Sequence, residues 1–218
     1  MINVVIPASG TGSRFGADVP KQFLNLNGKD ILQHTISVFE KINFIDEIAV
    51  AVPNGYRDRV AGYGFSKVKY ITEGGANRAE SVYNALKMLP KETEIVLIHD
   101  GVRPFVTGEI VLQVVKAVKQ HGAAVACCPV TDTIKKVDSA GVIVDTPDRN
   151  HLWQAQTPQG FTFKLILDAY AQNIGTLHMI TDDSSLISNA FVVPSSRRNI
   201  KITTTEDILI AKAFMEDI

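Results

Sequence analysis

The sequence predicts an α/β fold with a Rossmann-like, mostly parallel sheet covered by helices on both faces. Apolar segments of strand length alternate with segments of helical periodicity, which is typical of repeated β-α units. The strand segments are almost continuously apolar, as expected for strands that are buried on both faces. A chain of 218 residues, 45% of them hydrophobic, is long enough to bury the core of one such domain.

Five apolar segments predict the strands of this sheet, at residues 3–6, 47–52, 67–71, 95–98 and 123–130. Helical patterns lie between them and begin near Lys29, Tyr56, Arg78 and Thr107. Because ligands of such sheets bind at the carboxyl ends of the strands, we expect the functional residues in the loops after the first and fourth strands.

The loop after the first strand combines small residues with two cations. Small residues let a backbone curl closely around phosphate, and they stand here at Ala8, Ser9, Gly10 and Gly12. Arg14 and Lys21 add positive charge. The combination suits a nucleoside triphosphate, although the loop alone is equally compatible with a strand-to-helix turn whose two cations are solvated.

Two other phosphate-binding loops do not match this segment. The dinucleotide pattern G-x-G-x-x-G requires a third glycine where the chain has Phe15. The Walker pattern requires lysine after its last glycine, and here Gly16 is followed by Ala17. A dinucleotide-dependent oxidoreductase therefore remains only an alternative.

Two further loops predict groups near that site. Asp100 directly follows the fourth strand, where a carboxylate oxygen could hold Mg²⁺, form a turn, or pair with Arg103. Asn77 is a candidate cap for the helix that begins near Arg78, and the free N–H groups of a helix start can bind an anion or a ribose.

Residues 131–150 predict a protruding β-arm. Two β-branched segments flank the turn sequence at residues 138–141, and such a hairpin is too short to hold a core of its own. We expect it to pack on a second copy of the chain, which predicts a homodimer. The chain shows no linker or repeat, so we interpret residues 1–218 as one domain containing the arm.

The last part of the chain predicts a helix over residues 164–173 and a short strand over residues 199–202. That strand would place Lys201 between two apolar neighbours, where its ammonium needs an anion or a route to solvent. Thr203 and Glu206 form a candidate capping box for the closing helix.

Composition limits the possible partners. The formal net charge is -1, so no overall electrostatic attraction to nucleic acid or to an anionic membrane is expected, and any cationic site is local.

The N-terminus shows no signal-peptide pattern, and we expect a cytoplasmic protein or one whose transit peptide has been removed. Cys127 and Cys128 are adjacent in an apolar strand, which predicts reduced core thiols.

Seven motifs, in order along nearly the whole chain, resemble the 2-C-methyl-D-erythritol 4-phosphate cytidylyltransferases, enzymes of the non-mevalonate isoprenoid route. They are the loop at residues 7–24 with PKQFL, GGANRAESV at 74–82, HDGVRPF at 99–105, DTIKK at 132–136, DRNHLWQAQTPQGF at 148–161, TDD at 181–183 and NIKIT at 199–203. The resemblance implies transfer of the cytidylyl group of CTP to a polyol phosphate on a nucleotidyltransferase fold.

The resemblance also implies roles for particular residues. Arg14 and Lys21 would bind the triphosphate and stabilise charge at the reacting phosphorus, and Asp100 would contact CTP and hold Mg²⁺. The cytidine would be held by Ala8, Ser9, Gly10, Gly75 and Ser81. The sugar phosphate would be surrounded by Arg103, Thr133, Arg149, Thr157, Thr181 and Lys201. Thr133 and Arg149 would come from the arm of a partner subunit, and Arg149 and Lys201 would position the attacking phosphate.

The residues are consistent with this chemistry. A phosphate monoester is largely a dianion at neutral pH and can attack the α-phosphorus of CTP without a general base, so catalysis would consist of positioning and charge stabilisation. We accordingly interpret His99 as a packing residue rather than a base, and Trp153 and Phe161 as core residues flanking a turn at 157–159.

Two departures from the family pattern and one sister family leave alternatives open. Ala76 stands where the family commonly has an acidic residue that can touch the ribose, and the segment 188–198 is shorter than usual. Ribitol 5-phosphate cytidylyltransferases share most of these motifs, so that substrate is the main alternative. A non-catalytic nucleotide sensor is a further alternative, besides the oxidoreductase.

Overall fold

The computed structural model describes residues 1–10 and 19–216. Its centre is a seven-stranded sheet with the order β11-β7-β10-β6-β1-β4-β5. Strand β10 pairs antiparallel with β6 and with β7, whereas the β1–β4, β1–β6, β4–β5 and β7–β11 pairs are parallel. The predicted mostly parallel sheet is therefore confirmed.

The strands of this sheet are β1 (Ile2–Pro7), β4 (Glu47–Val52), β5 (Val68–Glu73), β6 (Ile95–Ile98), β7 (Ala123–Pro129), β10 (Trp153–Thr162) and β11 (Phe191–Pro194). Two small antiparallel pairs are formed by β2 (Asn25–Leu26) with β3 (Lys29–Asp30), and by β8 (Lys136–Val137) with β9 (Ile143–Asp145). The α-helices are α1 (Ile31–Glu40), α2 (Arg57–Ala61), α3 (Arg78–Leu86), α4 (Gly108–His121), α5 (Phe163–Gln172) and α6 (Thr205–Glu216). Among the residues described, none of these helices is both long and apolar enough to cross a bilayer.

Helices cover both faces of the sheet, as predicted. Alternate residues of β1 point to opposite sides, so Val4 packs in one apolar cluster and Val5 in the other. Helices α1, α2 and α4 contribute to the first cluster, and α3 and α5 to the second. Cys127 and Cys128 are buried free thiols, which confirms their predicted place in the core.

The cap predicted at Asn77 is confirmed, and the cap predicted for the closing helix is corrected. The Asn77 side chain accepts a hydrogen bond from the backbone N–H of Glu80 at the start of α3, and Thr107 caps α4. At α6 the capping residues are Asp207 and Thr204 rather than Thr203 and Glu206. The prediction was therefore wrong by one position.

Strand β10 replaces a predicted turn. Residues 157–159 lie within this ten-residue strand, at a register shift between Ala155 and Gln159. Pro158 is tolerated because the shift interrupts the ladder where the missing N–H would have paired. Phe161 is fully buried, but Trp153 is 41% exposed, so its predicted core position is wrong.

The C-terminal region also differs from prediction. Residues 199–203 have an irregular conformation rather than the predicted strand. The added strand is instead β11, within the segment 188–198, and it pairs parallel with β7. Residues 199–203 are still fixed in place, because the N–H of Ile202 donates to the Val102 carbonyl at 2.9 Å.

Residues 131–150 form the predicted hairpin. β8 and β9 pair antiparallel and are joined by a turn in which the Asp138 side chain accepts from the N–H groups of Ala140 and Val142. Every residue of this stretch except Pro147 is exposed. The hairpin thus protrudes from the domain as an arm.

Candidate functional site

The carboxyl ends of β1 and β6 converge with residue 201 on one edge of the sheet. Asp100 lies just beyond β6 and is almost fully buried. Its Oδ1 is 2.9 Å from Arg78 Nε, and its Oδ2 is 2.9 Å from Lys201 Nζ and 3.5 Å from Arg103 Nε. One carboxylate therefore lies among three cations contributed by three distant parts of the chain.

These charges determine the ionisation of Asp100. Burial by itself favours the neutral acid, but the positive charges of Arg78, Lys201 and Arg103 outweigh it and hold the Asp100 pKa well below its ordinary value. The carboxylate is therefore ionised throughout the physiological range. The sequence predicts that the Lys201 ammonium needs an anion or a route to solvent, and the structure provides Asp100 as that anion.

A cavity of about 330 Å³ lies on one side of Asp100. The predicted CTP-binding residues that line it are Ala8, Ser9, Gly10, Gly75 and Asp100, joined by Lys21, Arg78 and Lys201. Ser81, the remaining predicted contact, holds the cavity wall together. Its hydroxyl lies 2.6 Å from Ser9 Oγ and accepts from the N–H of Gly75 at 3.0 Å.

The wall of this cavity requires a glycine before Gly75. A Cβ at Gly74 would lie 2.2 Å from Ser9 Cβ and 2.9 Å from Ser81 Oγ, so any side chain there would separate the two loops. Packing therefore explains why the first residue of the motif GGANRAESV is glycine. Ala76, also in the cavity lining, donates its N–H to Glu80 Oε2 at 2.9 Å.

The loop predicted to bind phosphate lies partly outside the described residues. Gly12 and Arg14 lie outside the described residues, so the predicted role of Arg14 stays a prediction. Lys21 opens a short 3₁₀ helix (Lys21–Phe23) and faces the cavity. Its neighbour Gln22 is buried and donates from Nε2 to the carbonyls of Ala8 at 2.5 Å and Gly10 at 3.1 Å.

A second cavity of about 120 Å³ adjoins the first on the other side of Asp100. The predicted substrate residues that line it are Arg103, Thr157, Thr181 and Lys201. Arg78, Asp100 and Lys201 line both cavities, so the two spaces meet at this charged cluster. Two ligands bound in them would have their ends in contact at Asp100 and Lys201.

His99 is fully buried, and both of its ring nitrogens are hydrogen-bonded. Its Nε2 lies 3.0 Å from the Arg103 carbonyl, which requires the proton on Nε2, and its Nδ1 accepts from the Thr157 hydroxyl at 3.1 Å. The Thr157 oxygen in turn accepts from the N–H of Asp100. Burial lowers the His99 pKa to about 4, so the ring stays neutral near pH 7, as the sequence interpretation required.

Comparison with known proteins identifies the family. The family model described as IspD, 2-C-methyl-D-erythritol 4-phosphate cytidylyltransferase, matches residues 2–217. The enzymes of that name from Syntrophotalea carbinolica and Clostridioides difficile are each 45% identical over 225 aligned positions, covering 99% of this chain and 96% and 94% of theirs. The chain belongs to this family.

Solved structures agree with that membership. The crystal structure of 4-diphosphocytidyl-2C-methyl-D-erythritol synthase from Anaerococcus prevotii superimposes with a TM-score of 0.89 at 30% identity, covering 99% of this chain and 96% of that one. The predicted nucleotidyltransferase fold and family are therefore confirmed. The oxidoreductase and sensor alternatives have no support in these matches.

Two predicted site residues of the family pattern lie away from the cavities. Among the residues that the structure describes, the linings of the two cavities do not include Thr133 or Arg149. Both residues are exposed on the arm, and Arg149 donates to the Thr131 carbonyl at 2.7 Å. A single chain therefore does not bring them to Asp100, consistent with the expectation that a partner supplies them.

Sequence reasoning missed the residues that support the site from behind. The sequence indicates Arg78 only as the start of a helix. It assigns no role to Gln22, Asp183 and Asn199, which lie within the motifs. Asn199 is fully buried and donates to the Thr157 carbonyl at 2.8 Å. The sequence feature that could have identified these residues is that they are polar and lie in motifs that flank buried segments.

Asp100 fits a magnesium ion that is bound together with phosphate. Mg²⁺ prefers oxygen ligands and usually uses one or two carboxylates besides substrate phosphates and water. Asp100 provides an ionised carboxylate where the two cavities meet. Within residues 1–10 and 19–216 there is no cluster of three or more His, Cys, Asp or Glu side chains suited to a metal, so phosphate oxygens would have to complete the site.

Proposed function

We propose that this chain transfers the cytidylyl group of CTP to 2-C-methyl-D-erythritol 4-phosphate and releases pyrophosphate. The observation that carries the proposal is the meeting of two cavities at Asp100 and Lys201. The larger cavity is bordered by the glycine loop, which suits a nucleotide, and the smaller one by hydroxyl and cationic groups, which suit a phosphorylated polyol. Membership of the cytidylyltransferase family supports the same conclusion.

The reaction needs no protein nucleophile. An oxygen of the polyol phosphate dianion forms a bond to the α-phosphorus of CTP, while the bond from that phosphorus to the bridging oxygen breaks and pyrophosphate leaves with the electron pair. Lys201 and Arg103 attract and orient the incoming phosphate, and Lys21 and Arg14 neutralise the triphosphate. The protein thus contributes positioning and charge stabilisation.

Asp100 would hold Mg²⁺ in this scheme. When bound, the ion supplies positive charge to the triphosphate oxygens and the departing pyrophosphate. Arg78 keeps Asp100 in place from the opposite side, so that ion binding leaves the carboxylate anchored. The cytidine would lie against Ala8, Ser9, Gly10 and Gly75, whose positions Ser81 fixes.

A homodimer would complete the site. The arm exposes apolar side chains, with Val137 53%, Ile143 58% and Val144 55% exposed, and such a surface is costly to leave in water. We propose that each arm packs on a second copy and brings Thr133 and Arg149 to the partner's substrate cavity. Residues 1–218 would then act as one cytidylyltransferase domain, working in the cytoplasm.

Ribitol 5-phosphate is the second candidate acceptor. It carries the same phosphate on a polyol of similar size, and the described cavity residues would accept either molecule. The names of the compared relatives favour the methylerythritol substrate.

The test is pyrophosphate release from CTP and Mg²⁺ with each polyol phosphate offered separately. We expect turnover with methylerythritol phosphate, and a loss of about 10²–10³ in kcat/KM for Lys201→Ala, comparable to the loss of one charge-stabilising group. Lys164→Ala is the matched control, since Lys164 is exposed on α5 and pairs with Asp168. Turnover with ribitol 5-phosphate alone would reassign the substrate, and pyrophosphate from neither acceptor would refute the proposal.

A further inference from the structure

Arg78 bridges two buried carboxylates. Its Nε donates to Asp100 Oδ1 at 2.9 Å, and its Nη2 donates to Asp183 Oδ2 at 2.8 Å. The guanidinium is planar and its donors have fixed directions, so a bond at each end defines the position of the whole group. The position of Asp183 therefore determines where Arg78 meets Asp100.

Asp183 is itself fixed from the core. It is fully buried, and its Oδ1 accepts from the hydroxyl of Tyr170 at 2.5 Å. Tyr170 is also fully buried on α5, where its ring stacks on Tyr83 with 5.8 Å between centroids. A continuous chain of hydrogen bonds thus runs from the helix core through Asp183 and Arg78 to Asp100.

This chain makes the two oxygens of Asp100 unequal. Oδ1 is bound to Arg78, which cannot move without leaving Asp183 as a buried, unpaired charge. Oδ2 faces Lys201, whose side chain is 39% exposed and has room to turn toward an incoming phosphate. Oδ2 also lies 3.5 Å from Arg103 Nε, but this contact is longer than the 2.9 Å contact with Lys201, so Oδ2 becomes available to another cation once Lys201 turns away.

We propose that Tyr170, Asp183 and Arg78 are positioning residues that lock Asp100 by Oδ1 and so present Oδ2 to the metal-bound triphosphate. Tyr170 and Asp183 line neither cavity and act on the site through Arg78 and Asp100. The inference rests on the proposed function in one respect, because it takes CTP and Mg²⁺ as the ligands.

The experiment is a calorimetric titration of the full-length protein with CTP, once with Mg²⁺ and once with EDTA. Tyr170→Phe removes one hydroxyl of a residue that lines neither cavity, and we expect it to weaken binding of CTP with Mg²⁺ about fivefold, the effect of one side-chain hydrogen bond. Binding in EDTA should stay unchanged. Arg78→Lys keeps the charge but cannot bridge both carboxylates, and we expect a loss of at least roughly tenfold with Mg²⁺.

Tyr83→Phe is the control, since it keeps the stacked ring beside Tyr170 and should leave both affinities at the wild-type value. Melting temperatures of all variants measure any general destabilisation. Equal weakening in Mg²⁺ and EDTA, an equal effect of Tyr83→Phe, or full Mg²⁺-dependent binding by Arg78→Lys would each overturn the relay. Wild-type protein that binds CTP with Mg²⁺ but releases no pyrophosphate would refute the proposed reaction and leave the relay standing.

Discussion

At the scale of single residues, the site depends on buried polar groups that satisfy one another. Asp100 takes part in ion pairs with three cations and anchors its own N–H on Thr157. Removal of Asp100 would be unfavourable, because the buried Arg103 would lose the carboxylate with which it pairs. Function and local stability therefore depend on the same side chains here.

Gln22 offers a residue-scale prediction. Its amide ties the carbonyls of Ala8 and Gly10 together, and Gln22→Met keeps the volume but leaves both carbonyls without this donor. We expect a loss of about 1–3 kcal/mol in the free energy of unfolding, together with weaker CTP binding, because the loop wall loses its tie.

Urea unfolding and CTP titration measure these two effects. Gln113→Met is the control, since Gln113 is exposed on α4, and it should change neither quantity. A Gln22→Met protein with wild-type stability would show that the amide does not hold the loop.

At the scale of elements, α6 is held at its start by one carboxylate. Asp207 Oδ2 accepts from the N–H groups of Thr203 and Thr204 at 2.7 and 2.9 Å. Burial opposes ionisation of Asp207, but these hydrogen bonds outweigh it and lower its pKa. Since Lys201 lies just before this cap, the cap also anchors the segment that carries the lysine.

The cap predicts a pH dependence with a definite sign. A carboxyl whose pKa is lower in the folded than in the unfolded protein stabilises the fold above its unfolded pKa, and that contribution is lost as the pH falls. We expect Asp207→Asn to cost about 1 kcal/mol of unfolding free energy at pH 7, and the difference from wild type to shrink toward pH 3. Urea denaturation across this range tests it, with the exposed Asp168→Asn as control. A difference that grows as the pH falls would contradict the assignment.

The elements also show what the sequence could and could not predict. Buried strands such as β1 and β6 were predictable, because each contains three or four consecutive hydrophobic residues, as expected for a strand that is covered on both faces. Strand β10 was not, because Pro158 resembles a turn residue and only the pairing of the neighbouring strands shows that the ladder is interrupted there. The sequence predicts a strand at Lys201, but the lysine is placed near Asp100 by an irregular segment that is hydrogen-bonded to Val102 and Arg103.

At the scale of the whole molecule, the charge is nearly balanced and the cations that matter are concentrated at one edge of the sheet. The motif order predicted which residues would meet there, since the carboxyl ends of parallel strands share an edge. The sequence of a single chain has no comparable pattern that indicates which residues contact a second chain. The arm could be recognised as a protrusion, but its acceptor surface could not.

A mixing experiment tests the shared site. If Lys21 of one chain works with Arg149 of the other, a dimer of Lys21→Ala and Arg149→Ala chains contains one intact site and one that lacks both groups. Random reassembly of the two inactive variants should then restore about a quarter of wild-type activity, because half of the dimers are mixed.

Each variant mixed with itself serves as the control and should stay inactive. Absence of any recovery, with dimers demonstrated by sedimentation, would place both residues in the site of one chain and would contradict the shared site.

Strand β10 begins at the exposed Trp153, beside the arm, and reaches Thr157 in the substrate cavity only four residues later. Fixing the first residue of this stretch restricts the position of Thr157, even though the register shift between Ala155 and Gln159 lies within it. If the arm docks on a second copy as proposed, the neighbour also restrains the strand that carries Thr157, and catalysis would then begin to fail at the concentration at which the subunits separate.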